Sequence, residues 1–475
     1  MITGVSVEGL FGTFSHDVEF NIQESVTILS APNGYGKSTL LRMIKAVGEG
    51  AFGDLAQVPF ETFAVRDDQG PALVFSREVI EKDGSADERD AEREMIFEQE
   101  LARSWRDADG RELSPDYTRA ELTAHLEGTQ PKRASLGIFP VPGDGPSPFV
   151  VSPAQVEARM RHSSSRAEYE HWRSLRDTTR PRSRASARQS THADTPPDWL
   201  QDRLENMKVL LIESQRLLEP EPVGPGRSRP DGQHTTIPAV TAISNDLVGR
   251  IGKDKIAYVR QSGEIDRTFP IRFLKAAADT QQAQSASELR ARLSELDKKR
   301  ADLQAVGILE REELLALEIP DEIEDVYVKA FSLLVSDIDH KLNHFDELES
   351  KISLLKELAN ARFQYKKLEV DAERGLYCVA EGRNVPLVQL SSGEQHELVL
   401  FYDALFRVEE GSLLMIDEPE LSLHAAWQSE FIEDLKRILR LSGVTVLIAT
   451  HSSALIGGNW DLVVELKGPS SGLHS

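Results

Sequence analysis

A short glycine-rich loop near the N-terminus constrains the fold of this 475-residue chain more than any other feature. Residues 26–29 form an apolar run typical of a buried strand, and they lead directly into residues 31–39, Ala-Pro-Asn-Gly-Tyr-Gly-Lys-Ser-Thr. From Lys37 to Val47, apolar side chains recur at helical spacing. A strand, a glycine-rich turn and a helix in this order predict a parallel α/β sheet whose helix N-terminus binds phosphate.

The residue types in this loop suit a nucleoside triphosphate. Backbone N–H groups can surround a β-phosphate, the Lys37 ammonium can reach the β- and γ-phosphates, and the Ser38 hydroxyl can bind Mg²⁺. Ala31 departs from the usual pattern, which has glycine there. We therefore predict ATP and Mg²⁺ as cofactors, bound by Asn33, Gly34, Tyr35, Gly36, Lys37, Ser38 and Thr39.

A second apolar run, residues 413–416, ends in Asp417-Glu418. A buried strand delivers such carboxylates to the edge of a sheet, where Asp417 can hold Mg²⁺ and Glu418 can act as general base toward a water. The plainer alternative is a strand followed by an ordinary acidic turn.

Two polar residues follow other apolar runs. His451 comes after residues 444–449, where an imidazole can hydrogen-bond the γ-phosphate and orient the water, although a lone histidine is more often structural. Gln215 follows residues 209–212, where it can contact Mg²⁺ or the water, although a polar residue that caps a strand is equally compatible.

A third segment, residues 390–395, reads Leu-Ser-Ser-Gly-Glu-Gln. Ser391, Gly393 and Glu394 stand at a predicted helix start, whose free N–H groups can bind an anion. The alternative is a plain helix N-cap with a capping-box glutamate.

In chain order, these segments resemble the P-loop, Gln loop, LSGGQ-like signature, Walker B and switch-histidine motifs of the ABC-type ATPases. Residues 417–424, Asp-Glu-Pro-Glu-Leu-Ser-Leu-His, resemble the corresponding run of the SMC, RecF and OLD branch. The resemblance covers roughly residues 1–80 and 205–465. It implies that Ser391 and Gly393 complete the nucleotide site of a second copy, in a head-to-head dimer or higher oligomer.

The predicted fold class is α/β, an ABC-type P-loop NTPase head with a mixed sheet plus a short antiparallel helical hairpin. Near-heptad apolar rows at 289–303 and 345–359 predict that hairpin, with a break at 319–321 and an arm of roughly 30 Å. The predicted domains are an N-terminal lobe with the P-loop (1–80), a polar, partly disordered insertion (81–200), the rest of the first lobe with the Gln loop (201–270), the helical stalk (271–370) and a C-terminal lobe (371–475).

Composition narrows the functional classes. The single cysteine, Cys378, excludes an intramolecular disulfide and favours a cytoplasmic location, and no apolar stretch reaches the ~18 residues of a membrane span. The net charge of −23 argues against a general nucleic-acid surface, although residues 159–188 hold nine arginines against three acidic residues.

Two functional hypotheses follow from the resemblance. The first is the ATPase subunit of a bacterial anti-phage system, similar to Septu- or PARIS-like systems, which acts with a separate effector nuclease, since the 24 residues after His451 are too few for a Toprim domain. The second is a RecF-like DNA-binding repair or replication ATPase, in which residues 159–188 contact DNA. A transporter subunit fits poorly because such a subunit has no use for the helical stalk.

Overall fold

The strands of the protein fall into sheets that join distant parts of the chain. The computed structural model describes residues 1–80, 117–127, 133–142, 196–213, 217–220, 236–278, 285–309, 324–421 and 423–468; Gln215 and the residues 159–188 and 319–321 lie outside this range. The strands are β1 Ile2–Leu10, β2 Phe14–Glu19, β3 Val26–Ser30, β4 Thr62–Asp67, β5 Leu73–Ile80, β6 Tyr117–Leu126, β7 Arg133–Pro142, β8 Val209–Ile212, β9 Leu218–Pro220, β10 Thr236–Pro238, β11 Lys367–Asp371, β12 Gly375–Ala380, β13 Arg383–Val385, β14 Leu413–Asp417, β15 Thr445–Thr450 and β16 Val463–Glu465.

Helices connect and flank these strands. They are α1 Lys37–Gly48, α2 Phe52–Gln57, α3 Asp198–Glu205, α4 Ala239–Ala278, α5 Ala286–Ala305, α6 Asp325–Leu342, α7 Asp346–Arg362, α8 Ser392–Tyr402, α9 Ala425–Gln428, α10 Phe431–Ser442 and α11 Ser453–Ile456. A π-helical turn, Asp403–Arg407, continues α8.

A parallel sheet in the order β16-β3-β15-β14-β8 forms the centre of the fold. Its strands are short apolar runs, as expected for strands buried on both faces. Because side chains alternate across a strand, Leu414 and Ile416 of β14 join one hydrophobic core, and Leu413 and Met415 join the other. The sheet therefore lies between two cores, and the carboxyl ends of β3, β14 and β15 meet at one edge.

An antiparallel sheet in the order β2-β1-β4-β5-β6-β7 covers the core that contains α1. Its last two strands come from residues 81–200, the segment predicted to be a polar insertion. Leu122, Ala124, Leu136 and Phe139 of this hairpin are buried in the same core as α1, so this part extends the first lobe.

An antiparallel helical pair is present, but its members differ from those predicted. Arg272 of α4 pairs with Asp337 of α6 at 2.5 Å, and Asp266, one turn and a half earlier, pairs with Lys341 at 2.6 Å. Because the residue numbers of the paired side chains rise along α4 while they fall along α6, the two helices run antiparallel.

Helix α5 runs in the same direction as α6. Its Arg292 pairs with Asp339 at 2.9 Å, and Lys299 donates to Asn343 at 2.6 Å, so both numbers rise together. The predicted pairing of the rows 289–303 and 345–359 is therefore wrong. Helix α7 carries the second row and packs against β11, α8 and α10.

The 40-residue helix α4, about 60 Å long at 1.5 Å per residue, crosses the predicted domain boundary at 270/271. Its glycines and Pro270 obscure the helix in the sequence, since both residue types disfavour helix interiors. Buried Ile243, Leu247 and Ile251 anchor its first turns in the core, so tertiary packing outweighs local propensity. Among the described residues, the helices lack an apolar stretch that could cross a bilayer.

Candidate functional site

The glycine-rich loop joins β3 to α1 at the carboxyl edge of the parallel sheet. Gly34 and Gly36 adopt φ of 90° and 85°, a left-handed conformation that other residue types rarely take. A Cβ on Gly36 would lie 2.7 Å from a methyl carbon of Leu10, whereas space beside Gly34 is open. The first-turn N–H groups of α1 have no intrahelical acceptor, so the loop can surround a phosphate.

Lys37 is buried in this loop. Its Nζ donates to the carbonyl oxygens of Ala31 at 2.6 Å and Pro32 at 3.2 Å. Burial lowers the pKa of the Lys37 ammonium, and the nearby carboxylates of Glu418 and Asp417 partly offset that effect. The ammonium therefore lies inside the loop, where carbonyl oxygens and acidic groups surround it.

One hydrogen bond joins the two ends of the motif set. Ser38 Oγ donates to Asp417 Oδ1 at 2.9 Å, although the two residues are 379 positions apart. Only strand β15 lies between β3 and β14 in the sheet, so the Asp417 carboxyl at the end of β14 lies beside the start of α1. Hydroxyl and carboxylate oxygens are the ligands that Mg²⁺ prefers, so Ser38 and Asp417 could hold that ion together.

The Asp417 carboxyl is unusually hard to ionise. Burial raises its pKa to about 6, against the hydrogen bond from Ser38, and the adjacent Glu418 carboxylate adds to the increase. A bound divalent cation would oppose both effects by favouring the charged form.

The pKa of Asp417 predicts how stability depends on pH in the nucleotide-free protein. The folded-state value of about 6 exceeds the ordinary 3.8, so the stabilising protonation is complete below pH 3.8 and is lost as pH rises through 6. We expect Asp417→Asn to raise stability at neutral pH by up to about 3 kcal/mol and to flatten this slope. Thermal unfolding with a chelator across this pH range measures both effects.

The exposed Asp461 supplies the matched control, because Asp461→Asn removes a carboxyl that is open to water. If the stabilities of wild type and Asp417→Asn changed with pH in the same way, the raised pKa of Asp417 would be contradicted.

Glu418 has a backbone conformation that is rare outside glycine. Its φ is 47°, and its N–H donates to the carbonyl of Ala449 in β15 at 2.8 Å. Left-handed conformations of non-glycine residues are strained and concentrate at functional sites. The side chain remains 25% exposed and lies 3.9 Å from His451 Nδ1, so the carboxylate can reach a water at the sheet edge.

His451 is held by a residue whose individual role the sequence did not indicate. Glu420 Oε1 accepts from Thr450 Oγ1 at 2.7 Å and from the His451 N–H at 2.9 Å, and it lies 3.1 Å from His451 Nδ1. Because a carboxylate oxygen only accepts, Nδ1 carries the proton that faces it. Glu420 thus orients the imidazole. The sequence signals for Glu420 were its place two residues after Glu418 and its membership of the run 417–424.

The signature segment is organised separately. The Ser391 hydroxyl caps α8, with Glu394 completing a capping box. Among the described residues, no hydrogen bond or ion pair joins residues 390–395 to the loop 31–39. The predicted capping box is therefore present. It does not test the predicted anion site, since a capped helix N-terminus is compatible with either role.

The structure thus brings together one group of predicted residues, Lys37, Ser38, Asp417, Glu418 and His451. It places Ser391, Gly393 and Glu394 elsewhere in the same chain, and Gln215 lies outside the described residues. The N–H groups of loop 31–39 can bind phosphate, Lys37 is a buried cation, and Ser38 and Asp417 supply oxygen ligands of the kind that Mg²⁺ prefers. These residues therefore fit a magnesium nucleotide.

Comparisons with known proteins found a family profile, a phage protein and solved structures that are similar to this chain. A protein-family profile described as "AAA domain, putative AbiEii toxin, Type IV TA system" matches residues 273–457, less than half of the chain but including the signature, Asp417 and His451. Protein ea59 of Escherichia phage lambda is 29% identical over 138 residues, which are 29% of this chain and 25% of that protein. The chain therefore spans about a quarter of the length of that relative.

Two solved structures are also similar over most of their length. The SMC head domain from Thermotoga maritima has a TM-score of 0.30 and 12% identity, with 96% of this chain and 90% of that chain covered. The SmcHead bound to the C-winged helix domain of ScpA has a TM-score of 0.32 and 9% identity, with coverage of 98% and 93%.

The parallel strand order, the glycine-rich loop after β3 and the acidic pair after β14 give the protein an α/β architecture in which loop 31–39 and Asp417 lie at one sheet edge. The predicted α/β class is confirmed, and the assignment to an ABC-type head stays a prediction.

Proposed function

We propose that the chain binds magnesium ATP and hydrolyses it to ADP and phosphate. The observation that supports this most directly is the hydrogen bond between Ser38 and Asp417, beside the buried Lys37. It places the phosphate loop and the acidic strand end at one sheet edge, as phosphoryl transfer to water requires.

Each residue then has a chemical role. The loop N–H groups and Lys37 bind the β- and γ-phosphates, and Ser38 and Asp417 hold Mg²⁺, which when bound neutralises phosphate charge. Glu418 accepts the proton of the attacking water, and His451, oriented by Glu420, helps to position that water beside the γ-phosphate. Gln215 stays a prediction as a further contact to Mg²⁺ or water.

The signature segment supplies the argument for a second copy. Ser391 and Gly393 lie at the N-terminus of α8, whose first-turn N–H groups suit an anion, yet within one chain they make no described contact with loop 31–39. A head-to-head dimer would place them against the γ-phosphate held by the partner. Two symmetric composite sites follow, because a two-fold interface presents the same surfaces on both subunits.

Lys37→Ala should weaken ATP binding about 100-fold, because the ammonium makes charge-assisted hydrogen bonds to two phosphates. Titration of a fluorescent ATP analogue measures the dissociation constant. Lys253→Ala, on the exposed face of α4, serves as the control and should bind as wild type does. Equal affinity of the Lys37→Ala variant would contradict the assignment of the loop.

We further propose that this ATPase is the sensor subunit of a bacterial anti-phage system that acts with a separate effector nuclease. The description of the matching profile, which names a toxin of a toxin–antitoxin system, supports this role. Plaque counts on cells that express the chain with the product of its neighbouring gene test it. Protection should require both proteins and be lost with Lys37→Ala; equal plaque counts with and without the pair would contradict it.

A further inference from the structure

One carboxylate oxygen of Glu394 accepts three hydrogen bonds at the start of α8, the helix that begins in the signature segment. Glu394 Oε2 accepts from the Ser391 N–H at 2.9 Å and from the Ser391 hydroxyl at 2.8 Å. The same oxygen accepts from Lys366 Nζ at 2.8 Å. The capping box that the sequence predicts is thus extended by a lysine that lies 28 positions before Glu394.

Lys366 reaches this position from the turn between α7 and β11. Tyr365, just before it, has a φ of 63°, which reverses the chain direction at the cost of a left-handed conformation. The Lys366 side chain is 21% exposed, and its ammonium lies 6.0 Å from the centre of the Phe363 ring. The contact is therefore mostly shielded from water, where an ion pair is screened less than at the surface.

The charge on Glu394 would otherwise oppose nucleotide binding by the signature segment. Burial by itself raises the pKa of the Glu394 carboxyl, but the bonds from Lys366 and Ser391 outweigh it and hold the pKa below its ordinary value. The carboxyl is thus ionised at neutral pH. An ionised carboxylate beside Ser391 repels an approaching triphosphate unless a cation neutralises it.

We propose that Lys366 is a positioning residue for the signature segment, which neutralises Glu394 and holds Ser391 and the first turn of α8 ready for the γ-phosphate bound to a second copy. The proposal rests on the proposed function, since it needs ATP hydrolysis at a site shared by two copies. Lys366 acts through Glu394 and does not itself touch the nucleotide.

The first experiment compares two lysines on the same stretch of chain. Lys356 pairs with Glu369 at 2.7 Å, much as Lys366 pairs with Glu394, but away from the signature segment. Lys366→Ala should lower kcat about 30-fold with the ATP dissociation constant within about 2-fold, because one preorganised electrostatic contribution to the transition state is lost. Lys366→Arg should restore most of the rate, and Lys356→Ala should stay near wild type.

A second substitution separates neutralisation from simple loss of helix stability. In the Lys366→Ala background, Glu394→Gln removes the uncompensated charge but keeps an oxygen that can accept from Ser391. The double variant should recover at least half of the lost rate on a logarithmic scale. A purely structural contact would instead make the double variant no faster than Lys366→Ala.

Mixing an inactive and an impaired variant tests whether the defect of Lys366→Ala lies in the signature segment that faces the partner. Lys37→Ala chains keep an intact signature segment, and Lys366→Ala chains keep an intact phosphate loop. In a 1:1 mixture, half of the dimers are mixed and each has one complete site, so activity should rise to roughly a quarter of wild type.

The outcomes distinguish this proposal from the proposed function. An active wild type with Lys366→Ala as fast as Lys356→Ala overturns the role of Lys366 alone, as does a mixture no faster than the average of its two variants. A wild type without ATPase activity, or a Lys37→Ala variant that hydrolyses ATP normally, overturns the proposed function itself.

Discussion

Replacing Glu418 with glutamine is expected to lower ATP turnover about 1,000-fold, because glutamine cannot accept the proton of the attacking water. Binding should persist, since in the proposed function Lys37, Ser38 and Asp417 hold the nucleotide and its metal. The amide is nearly the same size as the carboxylate, and it removes one negative charge from the sheet edge. Phosphate release under single-turnover conditions measures the chemical step, and analogue titration measures binding.

The same variant should accumulate as a closed dimer when ATP is present. Light scattering coupled to size exclusion, with and without ATP, reports the mass directly. Glu433, an exposed acidic residue in the first turn of α10, gives the control variant Glu433→Gln, which should hydrolyse ATP as wild type does. Wild-type turnover in the Glu418→Gln variant would show that another group is the general base.

Arg362→Met is expected to destabilise the fold by about 3–5 kcal/mol, which is the usual cost of removing one partner from a buried ion pair. Arg362 is 3% exposed; its Nε lies 2.5 Å from Glu397 Oε1, and its Nη2 contacts the carboxylate of Asp434. The guanidinium therefore ties the end of α7 to α8 and α10, and its loss leaves the Asp434 carboxylate with only the more distant Arg437 guanidinium, 3.9 Å away. Urea unfolding measures the change in the free energy of unfolding.

Glu397 and Arg437 provide the contrasting variants. Burial raises the pKa of the Glu397 carboxyl to about 8, against the attraction of Arg362, so this group is mostly protonated at pH 7. Glu397→Gln should therefore change stability at pH 7 by less than about 1 kcal/mol, since the amide replaces a neutral acid.

Because the folded-state pKa of Glu397 lies above the ordinary 4.5, its stabilising protonation is complete below pH 4.5 and is lost as pH rises through 8. The stability of the Glu397→Gln variant should not fall in this way as pH rises through 8. Arg437→Met, which breaks an exposed pair with Glu357 and a longer 3.9 Å contact with Asp434, should cost less than about 1 kcal/mol. An equal cost for Arg362→Met and Arg437→Met would contradict the structural role of the buried arginine.

Much of the central sheet could be predicted from the sequence. The runs at 26–29, 209–212, 413–416 and 444–449 are short, apolar and bounded by polar residues, which is the pattern of strands buried on both faces. The helical arm was harder to predict. Near-heptad rows identify helices but carry no information about which rows face each other, and the interrupted pattern of α4 hid the helix that pairs with α6.

Part of the candidate site could also be predicted from the sequence. Lys37, Ser38, Asp417, Glu418 and His451 could be selected because each stands at a strand end or a loop with a residue type suited to phosphate or metal. The capping box of Glu394 could also be predicted, since its residues are three positions apart.

The sequence by itself determined the local patterns, namely a glycine-rich loop, an acidic strand end and a capped helix start, because each lies within a few residues. Only the tertiary structure decided which groups meet. Strand order brings Ser38 into contact with Asp417. The turn after β14 brings Glu420 within 3.1 Å of His451 Nδ1. The strained turn at Tyr365 lets Lys366 donate to Glu394. These contacts join residues whose separation along the chain has no fixed relation to distance in space, so packing alone sets them.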